Sequence, residues 1–192
     1  SDYVGATRVA TVTAWSTTPD NTSVYEVRSS FNDFTGAVIV TGANVALKDA
    51  DTINLGASTL SGTFDVIAVA GNITQSGNLT VNNSKASVFE TEAPNATIDL
   101  DTAGLTNAFS GTVKLTTTGS LAHALIDNGT TALQITDGSS VGGNLTLVSG
   151  NASGIIDSGR LTVGGNLYAT TDANNGVITL DDLAVSGKIQ LN

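Results

Sequence analysis

The chain has 192 residues, of which 7 are Lys or Arg and 17 are Asp or Glu, so its formal net charge is −10. So few basic residues in an acidic chain provide no phosphate-binding face, which excludes nucleic acid and anionic membrane surfaces as expected partners. No apolar run approaches the roughly 20 residues of a membrane span, and the absence of Cys excludes disulfides, thiolate metal sites and Cys nucleophiles. With 21 Gly, 29 Thr, two Pro and 40% hydrophobic residues, the composition favours many short strands and tight turns around a sizeable core.

The segment 1–31 differs in composition from the rest of the chain. It contains Trp15 and Tyr25, two of the seven basic residues and one of the two prolines. Apolar and polar residues alternate over 23–28, which predicts a strand. Terminal segments of repeat proteins are atypical because they must cover an open end. We therefore predict that residues 1–31 form an N-terminal cap or a divergent first rung, with an aromatic ligand platform around Trp15 as the alternative.

Internal repetition organises residues 32–192. Five blocks of sequence recur in the same order and at a nearly constant offset, which is hard to obtain by chance. They predict two long repeats, about 34–108 and 109–184, followed by the first strand of a third at 185–192. The matched blocks are 32–41 with 107–116, 58–66 with 139–147, 77–81 with 159–163, 95–100 with 175–180, and 109–115 with 185–191.

A shorter period is visible inside each long repeat. Apolar and polar residues alternate over three to five positions, as in 79–81 and 145–147, and Gly, Asn or Asp follows within a few residues. This pattern is typical of half-buried strands that end in tight turns. Rungs of about 20 residues without any helix indicate an all-β fold, a right-handed parallel β-helix (β-solenoid). An antiparallel sandwich is the alternative, but it gives no reason for the long repeats.

Several Asn residues precede predicted strands at similar phases. Asn72, Asn78, Asn144 and Asn166 suggest a hydrogen-bonded Asn ladder inside one corner of the solenoid. The one His, His123, has neither a Cys nor a second His to complete a metal site or a catalytic triad. We expect it at an outward strand position.

Pairs of acidic residues are the candidates for catalysis or metal binding. Alternate strand residues share a face, so Asp99 and Asp101 could bind Ca²⁺ weakly or act as the acid–base pair of a polysaccharide-cleaving enzyme. The pairs at 49 and 51 and at 181 and 182 are further candidates of the same kind. Cleavage also needs basic groups near the acids, whereas the basic residues are scattered singly. We therefore expect no catalytic residues, no cofactor and no metal other than weak Ca²⁺ at Asp99 and Asp101.

Three stretches carry a family resemblance: residues 34–50, 55–62 and 70–81. They resemble the repeat region of large bacterial exoproteins of the filamentous haemagglutinin type, and the similarity continues more weakly over 107–191. The resemblance implies two-partner secretion, a long right-handed β-helix, and a role in adhesion or biofilm formation. It supplies no catalytic residues.

These observations lead to an expected function. The chain is predicted to be a non-enzymatic segment of a bacterial surface or biofilm-matrix protein, extracellular or on the cell surface. Its expected partners are cell-surface or matrix glycans, neighbouring repeats, or further copies that add end to end through Ile189 and Leu191. The alternative is a carbohydrate-binding module in which Trp15, Tyr25 or Tyr168 stacks on sugars.

Overall fold

The computed structural model describes residues 24–30, 32–173 and 175–192. Within these ranges the chain forms 23 strands and no helix, so no described segment could cross a membrane as a helix. The strands are, in chain order, β1 (Val24–Val27), β2 (Ala37–Val38), β3 (Thr41–Gly42), β4 (Asn44–Asp49), β5 (Ile53–Leu55), β6 (Ser58–Leu60), β7 (Phe64–Ala68), β8 (Ile73–Gln75), β9 (Leu79–Val81), β10 (Ser87–Pro94), β11 (Ile98–Leu100), β12 (Ala108–Phe109), β13 (Thr112–Thr118), β14 (Ala124–Asp127), β15 (Leu133–Ile135), β16 (Ser139–Val141), β17 (Leu145–Ser149), β18 (Ile155–Asp157), β19 (Leu161–Val163), β20 (Leu167–Thr171), β21 (Ile178–Thr179), β22 (Leu183–Val185) and β23 (Ile189–Leu191).

Successive turns of the chain stack as a β-solenoid of about 7 turns with rungs of about 22 residues. Ile53 pairs with Ile73, and Leu145 pairs with Leu167, as equivalent positions on successive rungs. All the strand pairs in the described ranges are parallel. The predicted all-β solenoid is confirmed, with rungs slightly longer than expected, and the antiparallel sandwich is wrong.

Three parallel sheets run along the stack. The largest has 11 strands in the order β1-β4-β7-β10-β13-β15-β18-β21, with β16, β19 and β22 joined to it beside β13. The second has 8 strands in the order β2-β5-β8-β11-β14-β17-β20-β23, and the third has 4 in the order β12-β9-β6-β3. Each rung therefore places a strand on the eight-stranded sheet before returning to the eleven-stranded one.

Alternation along each strand directs apolar side chains into one continuous core. In β7, Phe64, Val66 and Ala68 are fully buried, whereas Asp65 and Ile67 between them are only half-buried. This period of two is the geometry of a strand with one face turned inward. Stacking then covers the inward face of each rung with that of the next, which is how a narrow solenoid excludes water from its core.

Buried amides hold the longer rungs, where extra residues interrupt the ladder. Asn107 Nδ2 donates to the Leu100 carbonyl at 3.0 Å, while Asn107 Oδ1 accepts the backbone N–H of Leu79 at 3.0 Å. Asn128 Oδ1 accepts the N–H of Phe109 at 2.7 Å, and its Nδ2 donates to the Phe109 carbonyl at 3.1 Å. These side chains replace backbone partners that the irregular turns cannot supply.

The rung, and not the long repeat, is the unit that stacks. Val38 of β2 lies in the eight-stranded sheet, but its sequence counterpart Val113 lies in β13 of the eleven-stranded sheet. Ile98 of β11 and its counterpart Ile178 of β21 also lie in different sheets. The blocks resemble each other because each encodes a strand and a corner, although the two copies fall on different faces.

β1 and the residues around Phe34 lie at the N-terminal end of the described stack. β1 pairs in register with β4 and so extends the eleven-stranded sheet at its first end, while the assignment of residues 1–31 as a cap or divergent first rung stays a prediction. Asn32 Nδ2 then donates to the carbonyls of Val27 at 3.2 Å and Lys48 at 3.0 Å. Phe34 follows with its side chain only 7% exposed in the core. Of the segment 1–31, residues 1–23 and 31 lie outside the described ranges.

Candidate functional surfaces

A column of hydrogen-bonding side chains runs down the corner that precedes the eight-stranded sheet. His123 Nδ1 accepts the backbone N–H of Asn144 at 2.8 Å, and Asn144 Oδ1 accepts that of Asn166 at 2.8 Å. Asn166 Oδ1 in turn accepts the N–H of Lys188 at 2.8 Å. Each side chain therefore satisfies a donor of the following rung at the turn between two strands. His123 lies in this corner, half-buried, and not on a strand as expected.

The hypothesis of one Asn ladder is correct only in part. Asn72, Asn144 and Asn166 all precede strands of the eight-stranded sheet, but among them only Asn144 and Asn166 lie on adjacent rungs. Asn78 lies at a different corner, before β9, where its Oδ1 accepts the N–H of Thr106 at 3.0 Å. The four look alike in sequence because corners before different sheets use the same side-chain acceptor.

This column also explains why Gly directly precedes the corner residues Asn166 and Lys188. A Cβ on Gly165 would overlap Asn144 Oδ1 and lie 2.8 Å from the carbonyl carbon of Gly143. A Cβ on Gly187 would overlap Asn166 Oδ1 in the same way. The acceptor side chain of one rung packs against the backbone of the next rung. The residue directly before the corner residue of that next rung therefore has no room for a side chain.

Substitution of His123 tests the corner column directly. We expect His123→Asn to keep the stability of the protein, because Asn supplies the same kind of acceptor at the corresponding position of the following rung. His123→Leu should lower the free energy of unfolding by about 1 kcal/mol, because the N–H of Asn144 loses its partner. Urea denaturation measures both variants, and amide exchange at Asn144 locates the effect. Equal stability of the two variants would contradict this role.

Three carboxylates form a row on the outer face of the eight-stranded sheet. Asp99 lies in β11 and Asp101 follows it, while Asp127 ends β14 on the next rung beside Asp101. Burial raises the pKa of Asp101, and the charges of Asp127 and Asp99 raise it further. Across the described residues, no three His, Asp or Glu side chains are grouped so as to hold a metal ion. Weak Ca²⁺ binding at Asp99 and Asp101 stays a prediction.

The raised pKa of Asp101 makes its contribution to stability depend on pH. A carboxyl whose pKa is higher in the folded state favours folding below its ordinary value of 3.8, and this contribution is lost as pH rises through the folded-state pKa. Asp101→Asn should therefore be more stable than the parent protein at pH 7, with the difference disappearing near pH 3. Urea titrations at both pH values test this, with Asp172→Asn as the control for net charge. A parent protein at least as stable as Asp101→Asn at pH 7 would refute the prediction.

Asp49 has a structural role that could not be inferred from the acidic residues near it in the sequence. Its side chain is fully buried, and its carboxylate accepts the N–H of Phe34 at 3.3 Å and that of Ala50 at 2.8 Å. Burial raises its pKa against the lowering effect of these hydrogen bonds, and the nearby charges of Asp51 and Asp33 also raise it. Asp49 therefore ties the N-terminal segment to the core and does not face a ligand.

The structure describes the three aromatic candidates to different extents. Trp15 lies outside the described residues, and of Tyr25 only the backbone is described, within β1. Tyr168 lies in β20 with its side chain half-buried on the outer face, and its hydroxyl accepts a hydrogen bond from Asn166 Nδ2 at 3.0 Å. Tyr168 is thus the candidate whose surroundings are defined.

Two apolar side chains of β23 are exposed. Ile189 is 50% exposed and Leu191 53% exposed, yet they pair in register with Leu167 and Ala169, which are fully buried. Both residues therefore point in the direction of the core.

The stacked parallel rungs, the corner acceptors and the continuous core define a repeat-containing β-solenoid protein. Residues 42–116, which are less than half of the chain, match a family described as repeats of unknown function (DUF5649). The matched stretch runs from the end of β3 into β13. No curated protein and no solved structure gave a significant match.

Proposed function

We propose that this chain is a structural and adhesive segment of an extracellular bacterial surface or biofilm-matrix protein, and that it is not an enzyme. The observation that carries the proposal is the unbroken stack of parallel rungs from β1 to β23. Each rung adds about 4.8 Å to a rod held by backbone hydrogen bonds along its axis. The resemblance of residues 34–81 to filamentous haemagglutinin-type exoproteins supports secretion and adhesion.

The outer surface supports a role in contact with glycans or neighbouring fibres. Thr41, Thr59 and Thr80 occupy the same outward position on three consecutive rungs of the four-stranded sheet. Their hydroxyls form a regular row of donors and acceptors on a face with little charge. Such a face offers many weak polar contacts, which add up when several rungs meet the same extended partner.

The acidic row supports a non-catalytic role. Asp99, Asp101 and Asp127 face one another without a Lys or Arg ion pair among the described residues. A glycan-cleaving site would pair such acids with groups that bind substrate charge or transfer protons. The row is better explained as a solvated face of the rod.

We further propose that copies add end to end at β23. Ile189 and Leu191 would provide apolar contacts, and the backbone of β23 would pair with the incoming strand. The added strand would come from the N-terminal segment of another copy. Because the two joined surfaces are different, copies would add head to tail, and repeated addition would give a filament.

Electron microscopy and light scattering of the purified chain test this assembly. The parent protein should form rods that lengthen with concentration, and the double variant Ile189→Asp with Leu191→Asp should not lengthen. Thr162→Asp, an exposed side-face substitution in β19, is the matched control and should assemble like the parent. A 19.3 kDa particle at all concentrations, or an edge variant that assembles normally, would refute end-to-end addition.

Adhesion needs a separate measurement. Beads coated with the chain should be retained on bacterial or host-cell surfaces more strongly than beads coated with an unrelated acidic protein of similar charge. Retention equal to that control would remove the adhesive part of the proposal while leaving the structural part open to the assembly test.

A carbohydrate-binding module on the same scaffold is the second candidate function. The observation that favours it is the outward position of Tyr168, because aromatic rings on flat surfaces commonly stack against sugars and other planar or apolar ligand faces. This candidate differs from the first in requiring a defined site on one face.

A further inference from the structure

Tyr168 is placed differently from the other aromatic side chains that the structure describes. Phe64, Phe89 and Phe109 are fully buried and Phe34 is 7% exposed, whereas Tyr168 is half-buried on the outer face of β20. Aromatic rings contribute most to stability when they are packed inside a core. The ring of Tyr168 therefore lies outside the core, on a face that a ligand can reach.

The strand register places Tyr168 at the centre of a neutral polar patch. Thr146 holds the same outward position on the preceding rung and Gln190 on the following one, while Val148 and Thr170 lie in the adjacent outward column. None of these positions carries a charge, although the whole chain has a net charge of −10. The Tyr168 patch consists of Thr146, Val148, Asn166, Tyr168, Thr170 and Gln190.

The ring of Tyr168 is held in position before any ligand arrives. Asn166 Nδ2 donates to the Tyr168 hydroxyl at 3.0 Å, and Asn166 Oδ1 accepts the N–H of Lys188 at 2.8 Å. Two residues along a strand are about 6.6 Å apart, so a ring tied to Asn166 extends along the strand. A side chain fixed in this way loses little conformational entropy when a ligand binds to it.

We propose that the Tyr168 patch binds a neutral polysaccharide. The C–H face of a sugar ring is slightly positive and stacks on the negative face of an aromatic ring. Hydroxyls of neighbouring sugars would meet Thr146, Thr170 and the amide of Gln190. The six residues of the patch carry no charge, Lys188 beside Asn166 is balanced by Asp127 beside Val148, and the chain as a whole is acidic, so uronate or sulfated chains are disfavoured. This inference deepens the second candidate function, on which it rests, by naming the class of polysaccharide and the residues that bind it.

Affinity electrophoresis through gels containing a soluble β-glucan, a dextran or a polyuronate tests the proposal. The parent protein should be retarded by at least one neutral polysaccharide and not by the polyuronate. Tyr168→Ala should lose about tenfold in affinity, which is the typical scale for removing a central aromatic contact. Tyr168→Phe keeps the ring but not the tie to Asn166, so its loss should be smaller. Gln134→Ala, an outward position in β15 on another sheet, should bind like the parent.

Three results would overturn the proposal: no retardation by either neutral polysaccharide, undiminished binding by Tyr168→Ala, or preferential binding of the polyuronate. Urea denaturation of each variant shows whether the rungs are intact, so a folding defect is separated from a binding defect. Gln190 of the patch lies in β23, at which copies are proposed to add, so binding is measured below the concentration at which rods lengthen, which keeps the two results distinguishable.

Discussion

Gly165→Ala is expected to lower the free energy of unfolding by about 3 kcal/mol, at the upper end for one added methyl group in a packed site. The new Cβ would overlap Asn144 Oδ1 and lie 2.8 Å from the carbonyl carbon of Gly143, and backbone atoms cannot rotate away. The corner must open or release the hydrogen bond from the N–H of Asn166 to Asn144. A fall in the urea midpoint, with faster amide exchange at Asn166, measures the effect.

Two comparisons isolate the steric cause of this effect. Gly104 has a positive φ of 83° and no atom within 4 Å of the position that a Cβ would occupy, so Gly104→Ala should cost only the strain of that conformation, about 1 kcal/mol. In an Asn144→Ala background, Gly165→Ala should cost less than it does alone, because one of the overlapping atoms is gone. A Gly165→Ala protein as stable as the parent would show that the corner does not have this geometry.

Phe89→Ala is expected to cost about 4 kcal/mol, as for other fully buried aromatic side chains. Phe89 lies between Phe64 and Phe109 on the neighbouring rungs, with ring centroids 5.8 and 5.6 Å away and edge-to-face geometry. Removing it leaves a cavity and breaks both aromatic contacts, so three successive rungs lose cohesion. Urea denaturation and amide exchange over β7, β10 and β12 measure the loss.

Val88→Ala is the matched control for the core substitution. Val88 is the neighbour of Phe89 in β10 and points outward, half-buried. Its truncation should cost under about 1 kcal/mol, since it opens no cavity in the core. Similar losses for Val88→Ala and Phe89→Ala would mean that the alternation in β10 does not direct Phe89 inward.

The solenoid could be predicted from sequence because its signals are local and repeated. Alternation in segments such as 79–81 and 145–147 specifies which side chains point inward. Short spacing between these segments leaves no length for helical crossovers. The Gly-Asn pairs predict corners, and the structure shows that they also supply acceptors for the following rung.

The sheet on which each copy of a repeated block falls could not be predicted in this way. The offsets between matched sequence blocks are not whole multiples of a rung of about 22 residues. Val38 and Val113 therefore fall on different sheets despite their similar surroundings in sequence. Insertions absorb the difference, and buried amides such as that of Asn107 satisfy the backbone there. Their role depends on contacts between distant residues, which local patterns do not contain.

The sequence predicted one residue of the candidate site but not the surface around it. Sequence indicated Tyr168 as an aromatic candidate. Its neutral neighbours Thr146 and Gln190 come from the strand register, one rung away in each direction. Asp49 shows the opposite case, because its acidic neighbours in sequence suggested an exposed pair whereas the structure buries it completely. Burial is a property of the assembled rungs and not of the local composition.

Distances between spin labels on one outward column test the stacking of rungs most directly. The chain has no Cys, so pairs can be introduced at Thr74 with Thr146, with Tyr168 and with Gln190. The members of these pairs lie three, four and five rungs apart along the eight-stranded sheet. The spacing of parallel strands then predicts separations of ~14 Å, ~19 Å and ~24 Å, in equal steps of ~4.8 Å along a single stacking axis. Separations that fail to increase in this order would contradict it.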